Sequence, residues 1–214
     1  MEKLLNDQIA SQIKDVLSGM VHPISIILFT KEGSCDTCLE TKQLLSEVSA
    51  LTDKIRFIEK DIEKDLSDVN AFDIKRVPSF VLLDDKGTYQ GVKFNGIPAG
   101  HEINSFISAL LEMSGTGIQF NEQIKEQIQK IDKPVDIKVF VTLSCPHCPG
   151  AVQNAHRLVM LNPLIKAEMV EAQTFQDMSM KYQVSGVPKI VINDTFELLG
   201  NQPIEAFLQQ INKI

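Results

Sequence analysis

The chain repeats itself, so any fold proposed for it must be one that can be built twice. Residues 22–38, HPISIILFTKEGSCDTC, and residues 133–148, KPVDIKVFVTLSCPHC, share one order: a proline, an apolar run ending in phenylalanine, a short loop, a serine and a C-x-x-C pair. Pro23 maps onto Pro134 and Phe29 onto Phe140 at an offset of 111, whereas Cys35 maps onto Cys145 and Cys38 onto Cys148 at an offset of 110. The loop between has lost one residue. Forty residues beyond the second cysteine each copy carries Val-Pro, at Val77-Pro78 and Val187-Pro188. Matched internal spacing over so long a period marks a tandem duplication. A chain of 214 residues accommodates two such units of about 100 residues each.

Within each copy the apolar pattern predicts the same series of elements. An amphipathic helix opens the unit, with Ile9, Ile13, Val16 and Leu17 in the first copy and Phe120, Ile124, Ile128 and Ile131 in the second at helical spacing. A strand over 23–29 or 135–142 runs into the cysteine loop. The helix that follows buries Leu44, Leu45 and Val48, or Val152, Ala155 and Val159, and Asn162-Pro163 stops the second of these. Then come a strand (55–62; 166–172), a short helix (68–74; 175–184), a hairpin opened by Val-Pro (79–96; 189–200) and a closing helix. The order α-β-α-β-α-β-β-α predicts an α/β fold of two tandem units, each a mixed four-stranded sheet flanked by helices on both faces. EMSGTG at 112–117 is the joint, which puts the units at 1–115 and 116–214. So short a joint implies that the halves pack together.

Hydrophobic residues make up 43% of the chain and charged ones 23%, enough for ordinary cores. A net charge of −7 argues against a basic groove for nucleic acid. Asp7, Lys14 and Asp15 interrupt the N-terminal apolar pattern, and no apolar run approaches the ~20 residues of a membrane span. The expectation is a cytoplasmic protein with no membrane contact. In a reducing compartment cysteines bind metal or do redox work more often than they staple structure. All four cysteines lie in C-x-x-C pairs. A single four-sulfur zinc site is disfavoured, because 106 residues separate Cys38 from Cys145, against the ~15–20 of a zinc ribbon. No metal site is therefore expected, although a cluster bridged between two chains remains an alternative.

The stretches KFNGIPAGHEINSF (93–106), VFVTLSCPHCPGAVQNAH (139–156) and VSGVPKIVIND (184–194) resemble the tandem protein disulfide oxidoreductases, glutaredoxin-like proteins of archaea and some bacteria. Each unit looks like a thioredoxin fold. The second is also similar to the N-terminal domain of the alkyl hydroperoxide reductase flavoprotein, through LSCPHCPGAVQ, MLNPLIK and GVPKIVIN. In that relative only the second thioredoxin-like unit carries C-x-x-C; here both do. The resemblance implies that Pro78 and Pro188 follow cis peptide bonds facing the active-site couples. It also implies that the backbones of Val77 and Val187 receive an extended substrate segment by strand addition.

A C-x-x-C pair opening a helix sets its first sulfur near unsatisfied N–H groups and the positive end of the helix dipole, which favours the reactive thiolate. The second sulfur is then placed to resolve a mixed disulfide. Cys35 and Cys145 are thus the expected attacking thiols, and Cys38 and Cys148 the resolving ones. The residues between tune them. Asp36 sets a negative charge beside Cys35 and opposes its thiolate, whereas His147 can donate toward Cys145. Cys-Pro-His-Cys resembles the strongly oxidising site of the DsbA type. The usual thioredoxin pattern is not kept throughout: tryptophan is absent, Ser34 and Ser144 precede the cysteines, and Leu28 and Val139 stand where a buried carboxylate would lie. Glu171 and Asp61, at strand ends, are weak substitutes that read better as solvated residues. His101 reads as a helix-start residue and His156 as a surface residue.

The expected activity is dithiol–disulfide exchange with protein substrates through redox-active disulfides alone, with no other cofactor and with the second unit dominant and the first open to being accessory. The chain has no G-x-G-x-x-G fingerprint, so electrons would come from a thioredoxin-reductase-like flavoprotein, with a peroxiredoxin as a further partner. The alternative is a chaperone-like binding module in which thiol chemistry is secondary. Redox titration of Cys35→Ser and Cys145→Ser should show the Cys145/Cys148 couple to be the more oxidising; equal potentials or the reverse order refute the tuning argument.

Overall fold

A computed structural model describes residues 3–33 and 35–214 of the chain; Ser34 lies outside the described residues. The first unit runs α1 (Asp7–Leu17), β1 (Ile24–Thr30), α2 (Cys38–Ser49), β2 (Ile55–Asp61), α3 (Leu66–Ala71), β3 (Ser79–Leu83), β4 (Tyr89–Asn95) and α4 (Ile103–Leu111). The second repeats the order as α5 (Glu122–Gln129), β5 (Val135–Val141), α6 (Cys148–Leu161), β6 (Ile165–Glu171), α7 (Gln176–Lys181), β7 (Lys189–Ile192), β8 (Phe196–Leu199) and α8 (Ile204–Ile211). The opening helices start alike: the Asn6 and Asn121 side chains each accept a 2.8 Å bond from the backbone N–H three residues on, a standard N-cap. The joint contains a single π turn, Glu112–Thr116, broken by Gly115 at φ +104°.

Each unit is a thioredoxin-like mixed sheet, but the two do not stay separate. They share one eight-stranded sheet in the order β2-β1-β3-β4-β6-β5-β7-β8. β4 and β6 pair in parallel, with Val92 opposite Ala167 and Phe94 opposite Met169. Gly91, at φ +109°, makes the approach possible: a Cβ there would stand 3.0 Å from the Ile165 carbonyl oxygen and 3.3 Å from the Lys166 Cα. Beneath the seam Phe94 stacks on Phe80, meets Phe106 edge-on, and touches the ring of His156 from α6 at a centroid distance of 4.7 Å. On the other face Asn95 donates to Glu168 (2.7 Å) while accepting from Ser79. Arg157 on α6 holds Glu112 at the end of α4, Nη2 to Oε1 at 2.6 Å.

Strand alternation sorts the side chains into layers. Ile24, Ile26 and Leu28 of β1 join one continuous core with residues of α1, α2, α4, α5, α6 and α8. The alternate residues Ile27 and Phe29 face α3, and Phe140, Val170 and Val191 face α7. Helices thus cover both faces, one densely and one sparsely. Among the described residues no helix is long and apolar enough to cross a membrane.

Three sequence expectations change. α1 buries only Ile13 and Leu17; Ile9 and Val16 are 41% and 48% exposed, because the helix touches the rest of the unit along one narrow stripe. Phe120 and Ile131 flank α5 instead of lying in it, since Asn121 caps the helix start and Lys130 its end. His156 is not on the surface: it is 1% exposed, because the α6 face that carries it is the one the seam covers. Burial holds its imidazole neutral, pushing its pKa down to about 4, with the Lys93 backbone acting weakly the other way. Neither ring nitrogen makes a hydrogen bond of normal geometry among the described residues.

Phe94→Ala should cost about 3–5 kcal/mol by urea unfolding, the range for deleting a fully buried aromatic ring. Because its contacts reach α6, probes placed in either unit should report the same loss.

Candidate functional site

Each cysteine loop follows from the end of a central strand. β1 stops at Thr30 and β5 at Val141, and Cys38 and Cys148 are the first residues of α2 and α6. Each pair is closed as a disulfide, Cys35–Cys38 with Cα atoms 5.4 Å apart and Cys145–Cys148 with 5.5 Å. In both, the first cysteine is half-buried in the loop and the second is buried in the helix. Pro149 falls in the first turn of α6, where its missing N–H is not needed. Pro146 sits just before the helix. Asp36 and His147 are exposed between the cysteines, His147 as the residue capping α6.

The strand register brings the Val-Pro pairs to these loops. β3 runs antiparallel to β1 with Ser79 opposite Phe29, and β7 antiparallel to β5 with Lys189 opposite Phe140. The residues just before β3 and β7 therefore stand at the cysteine end of β1 and β5. Val77-Pro78 and Val187-Pro188 are the two cis peptide bonds of the described residues. The proline carbonyls are held alike, accepting from Gly96 at 2.9 Å and Gly200 at 2.8 Å. In the second unit Cys145 Sγ lies 3.8 Å from the Val187 carbonyl oxygen. Because β1, β4, β6 and β5 all run the same way, both disulfides sit on one rim of the sheet. Four strand steps separate β1 from β5, about 19 Å at ~4.8 Å per strand.

The surroundings of the two couples differ. Cys35 and Cys38 line an open cleft of about 690 Å³ with Glu32, Leu39, Lys42 and Glu59. The loop leading into the second couple meets the first unit. It receives the one-turn helix Gly100–Glu102, with His101 N–H donating to the Leu143 carbonyl at 2.9 Å. Gly100, at φ +57°, has no room for a Cβ against that carbonyl.

Glu102 is the residue that sequence reasoning missed. It is fully buried, one oxygen accepts from Ser105 Oγ, and the other has no partner among the described residues. Burial pushes its carboxyl up to about 7, against the smaller opposing effect of Ser105. The signal in the sequence is an acid between apolar residues at a helix start, in IPAGHEI, where the exposed His101 stands out first. Glu171 and Asp61 have other work. Glu171 is not solvated but 2% exposed, and accepts from Gln173 N, Thr174 N and Thr174 Oγ1, because Gly96 of the first unit covers it. Asp61 accepts from the backbones of Glu63 and Lys64. Leu28 and Val139 are buried and apolar behind the couples. Among the described residues no group of three or more His, Cys, Asp or Glu could hold a metal ion.

Residues 135–213 match the thioredoxin domain family model. The F component of the alkyl hydroperoxide reductase of Escherichia coli is 33% identical over 190 residues, 89% of this chain and 34% of that protein. The Staphylococcus aureus protein of the same name is 29% identical over 208 residues, 97% of this chain and 38% of its own length. The chain thus spans about a third of the length of these curated relatives. Among solved structures, the F component of the Enterococcus faecalis alkylhydroperoxide reductase superposes with a TM-score of 0.92 at 26% identity, over 98% of this chain and 100% of that one. A protein disulfide oxidoreductase from Aeropyrum pernix gives 0.89 at 28% identity, over 98% and 94%.

Since the folded Glu102 carboxyl titrates near 7 instead of 4.5, the native state gains stability from it below about pH 4.5 and loses that gain as pH rises through about 7. Glu102→Gln should therefore be more stable than the wild type at pH 8, on the order of 2–3 kcal/mol, with the difference vanishing near pH 4.5. Denaturant titrations at the two pH values check this.

Proposed function

For a thiol–disulfide oxidoreductase built on two thioredoxin folds, we propose that each unit, 1–115 and 116–214, exchanges disulfides with protein substrates through its own couple. The observation that carries this reading is the repeated constellation of a disulfide at a helix start and a Val-Pro pair at the same sheet end. Cys35 and Cys145, the more accessible sulfurs, attack as thiolates. One sulfur of the client disulfide bonds to the enzyme while the other leaves as thiolate. Cys38 or Cys148 then displaces the bound sulfur, so two electrons pass to the client and the enzyme couple closes. The reverse sequence oxidises a client dithiol. Val77-Pro78 and Val187-Pro188 offer the edge along which a client backbone aligns.

The second couple is proposed as the dominant and more oxidising one. His147 beside Cys145, and Asp36 beside Cys35, support that order. Glu102, a buried carboxyl titrating near neutrality in the turn bonded to Leu143, is suited to exchanging a proton with the second couple. It would take the place that Val139 leaves without an acid.

A second reading is electron carriage from a flavoprotein reductase to a peroxiredoxin. The similarity over nearly the whole chain to the F components of alkyl hydroperoxide reductases favours it. The reductase would be a separate domain or protein, since the chain covers only a third of those relatives.

The wild type should reduce insulin with dithiothreitol as donor, and the variant with all four cysteines changed to serine should fall to the uncatalysed rate. Cys148→Ser should retain clients on Cys145 as mixed disulfides that a reductant releases. A four-serine variant that keeps the cellular role, beside a wild type inert toward insulin, would establish the binding-module reading instead.

A further inference from the structure

The two couples share a fold and differ in charge. In the cleft at Cys35 every lysine already faces a carboxylate. Lys31 pairs with Glu63 and Lys42 with Glu59, each at 2.6 Å, and Lys60 lies between Asp65 (3.3 Å) and Asp68 (3.0 Å). Glu32 and Asp36 line the same cleft, are exposed, and make no ion pair among the described residues. The cleft is therefore net negative, with its two unpaired acids flanking the loop that carries Cys35. Leu39, next to Cys38, adds an apolar side chain that is 66% exposed.

The loop of the second couple carries no such charges. Residues 142–153, TLSCPHCPGAVQ, contain no acid and no base other than His147. The strand-end carboxylate, Glu171, is buried and occupied by three hydrogen bonds. Pro149, at the position of Leu39, is buried, and the turn from the first unit closes over Leu143.

We propose that the first couple selects cationic clients, protein segments with Lys or Arg beside their disulfide, while the second does not discriminate by charge. The proposal rests on the reading that Cys35 and Cys38 exchange disulfides, and it names the client class of that site. The Cys35 thiolate displaces one client sulfur, Cys38 displaces the other, and two electrons pass from the reduced couple to the client. Exposed acids at a rim raise the local concentration of a cationic partner and act mainly on association, so their influence is removed by salt.

The test uses the full chain with one couple left, Cys145→Ser/Cys148→Ser or Cys35→Ser/Cys38→Ser, reduced beforehand. Each is mixed with disulfide-linked dimers of one short peptide carrying either two lysines or two glutamates beside the cysteine. The rate of couple closure is read by alkylation and mass spectrometry. Dividing the lysine-to-glutamate rate ratio of the first couple by that of the second removes the peptides' intrinsic reactivity. This quotient should be at least about 10 at ~0.01 M salt, where screening acts over ~30 Å, and fall toward 1 at ~1 M. Glu32→Gln/Asp36→Asn, both exposed, should lower it at least about threefold at low salt. A quotient near 1, or one indifferent to salt, overturns the selectivity and leaves the two-couple reading standing. Closure at neither peptide by Cys35/Cys38, while Cys145/Cys148 reacts, overturns both.

Discussion

The parallel pairing of β4 with β6 is the interaction on which the rest of the structure depends. It joins unlike edges, the last strand of one unit to the outer crossover strand of the next, so the units are related by translation along the sheet more than by facing each other. Gly91 permits the approach, and Phe94 fills the space beneath it. Because the pairing is parallel, β1 and β5 point the same way and both cysteine loops emerge on one rim. An antiparallel joint would have put them at opposite ends.

The same pairing makes two copies of one site unequal. The turn that follows β4 has nowhere to go but across the second unit's loop, where Gly100 and His101 meet Leu143. Glu102 is buried by that docking, and its carboxyl is driven toward neutrality as a consequence. The first couple instead lines an open cleft and keeps the acidic walls of its own β2 and α3. Position in the tandem, and not only the residues between the cysteines, separates the two environments.

The element order was legible in the sequence to within a few residues, because apolar alternation and helical spacing are local and were written twice. The cysteines and Val-Pro pairs were likewise legible as a repeated spacing. What failed were statements about exposure. Ile9 and Val16 repeat at helical spacing yet face solvent, His156 and Glu171 are polar yet buried, and Glu102 was overlooked. The burial of His156 and Glu171 depends on what the other unit covers. A polar residue becomes buried when another part of the chain, distant in sequence, is set against it, and no local pattern records that.

The sequence by itself determined that one α/β unit occurs twice, each with a C-x-x-C pair at a strand-to-helix loop and a Val-Pro forty residues on, since hydrophobic period and residue spacing carry that information along the chain. Only the tertiary structure decided that the units share a single sheet, which cysteine loop the other unit meets, and which acids lie buried. Those outcomes come from the pairing of two strand edges and from desolvation across the seam. Both are set by residues far apart in sequence, from His101 and Leu143 to Asn95 and Glu168, whose meeting depends on the fold as a whole.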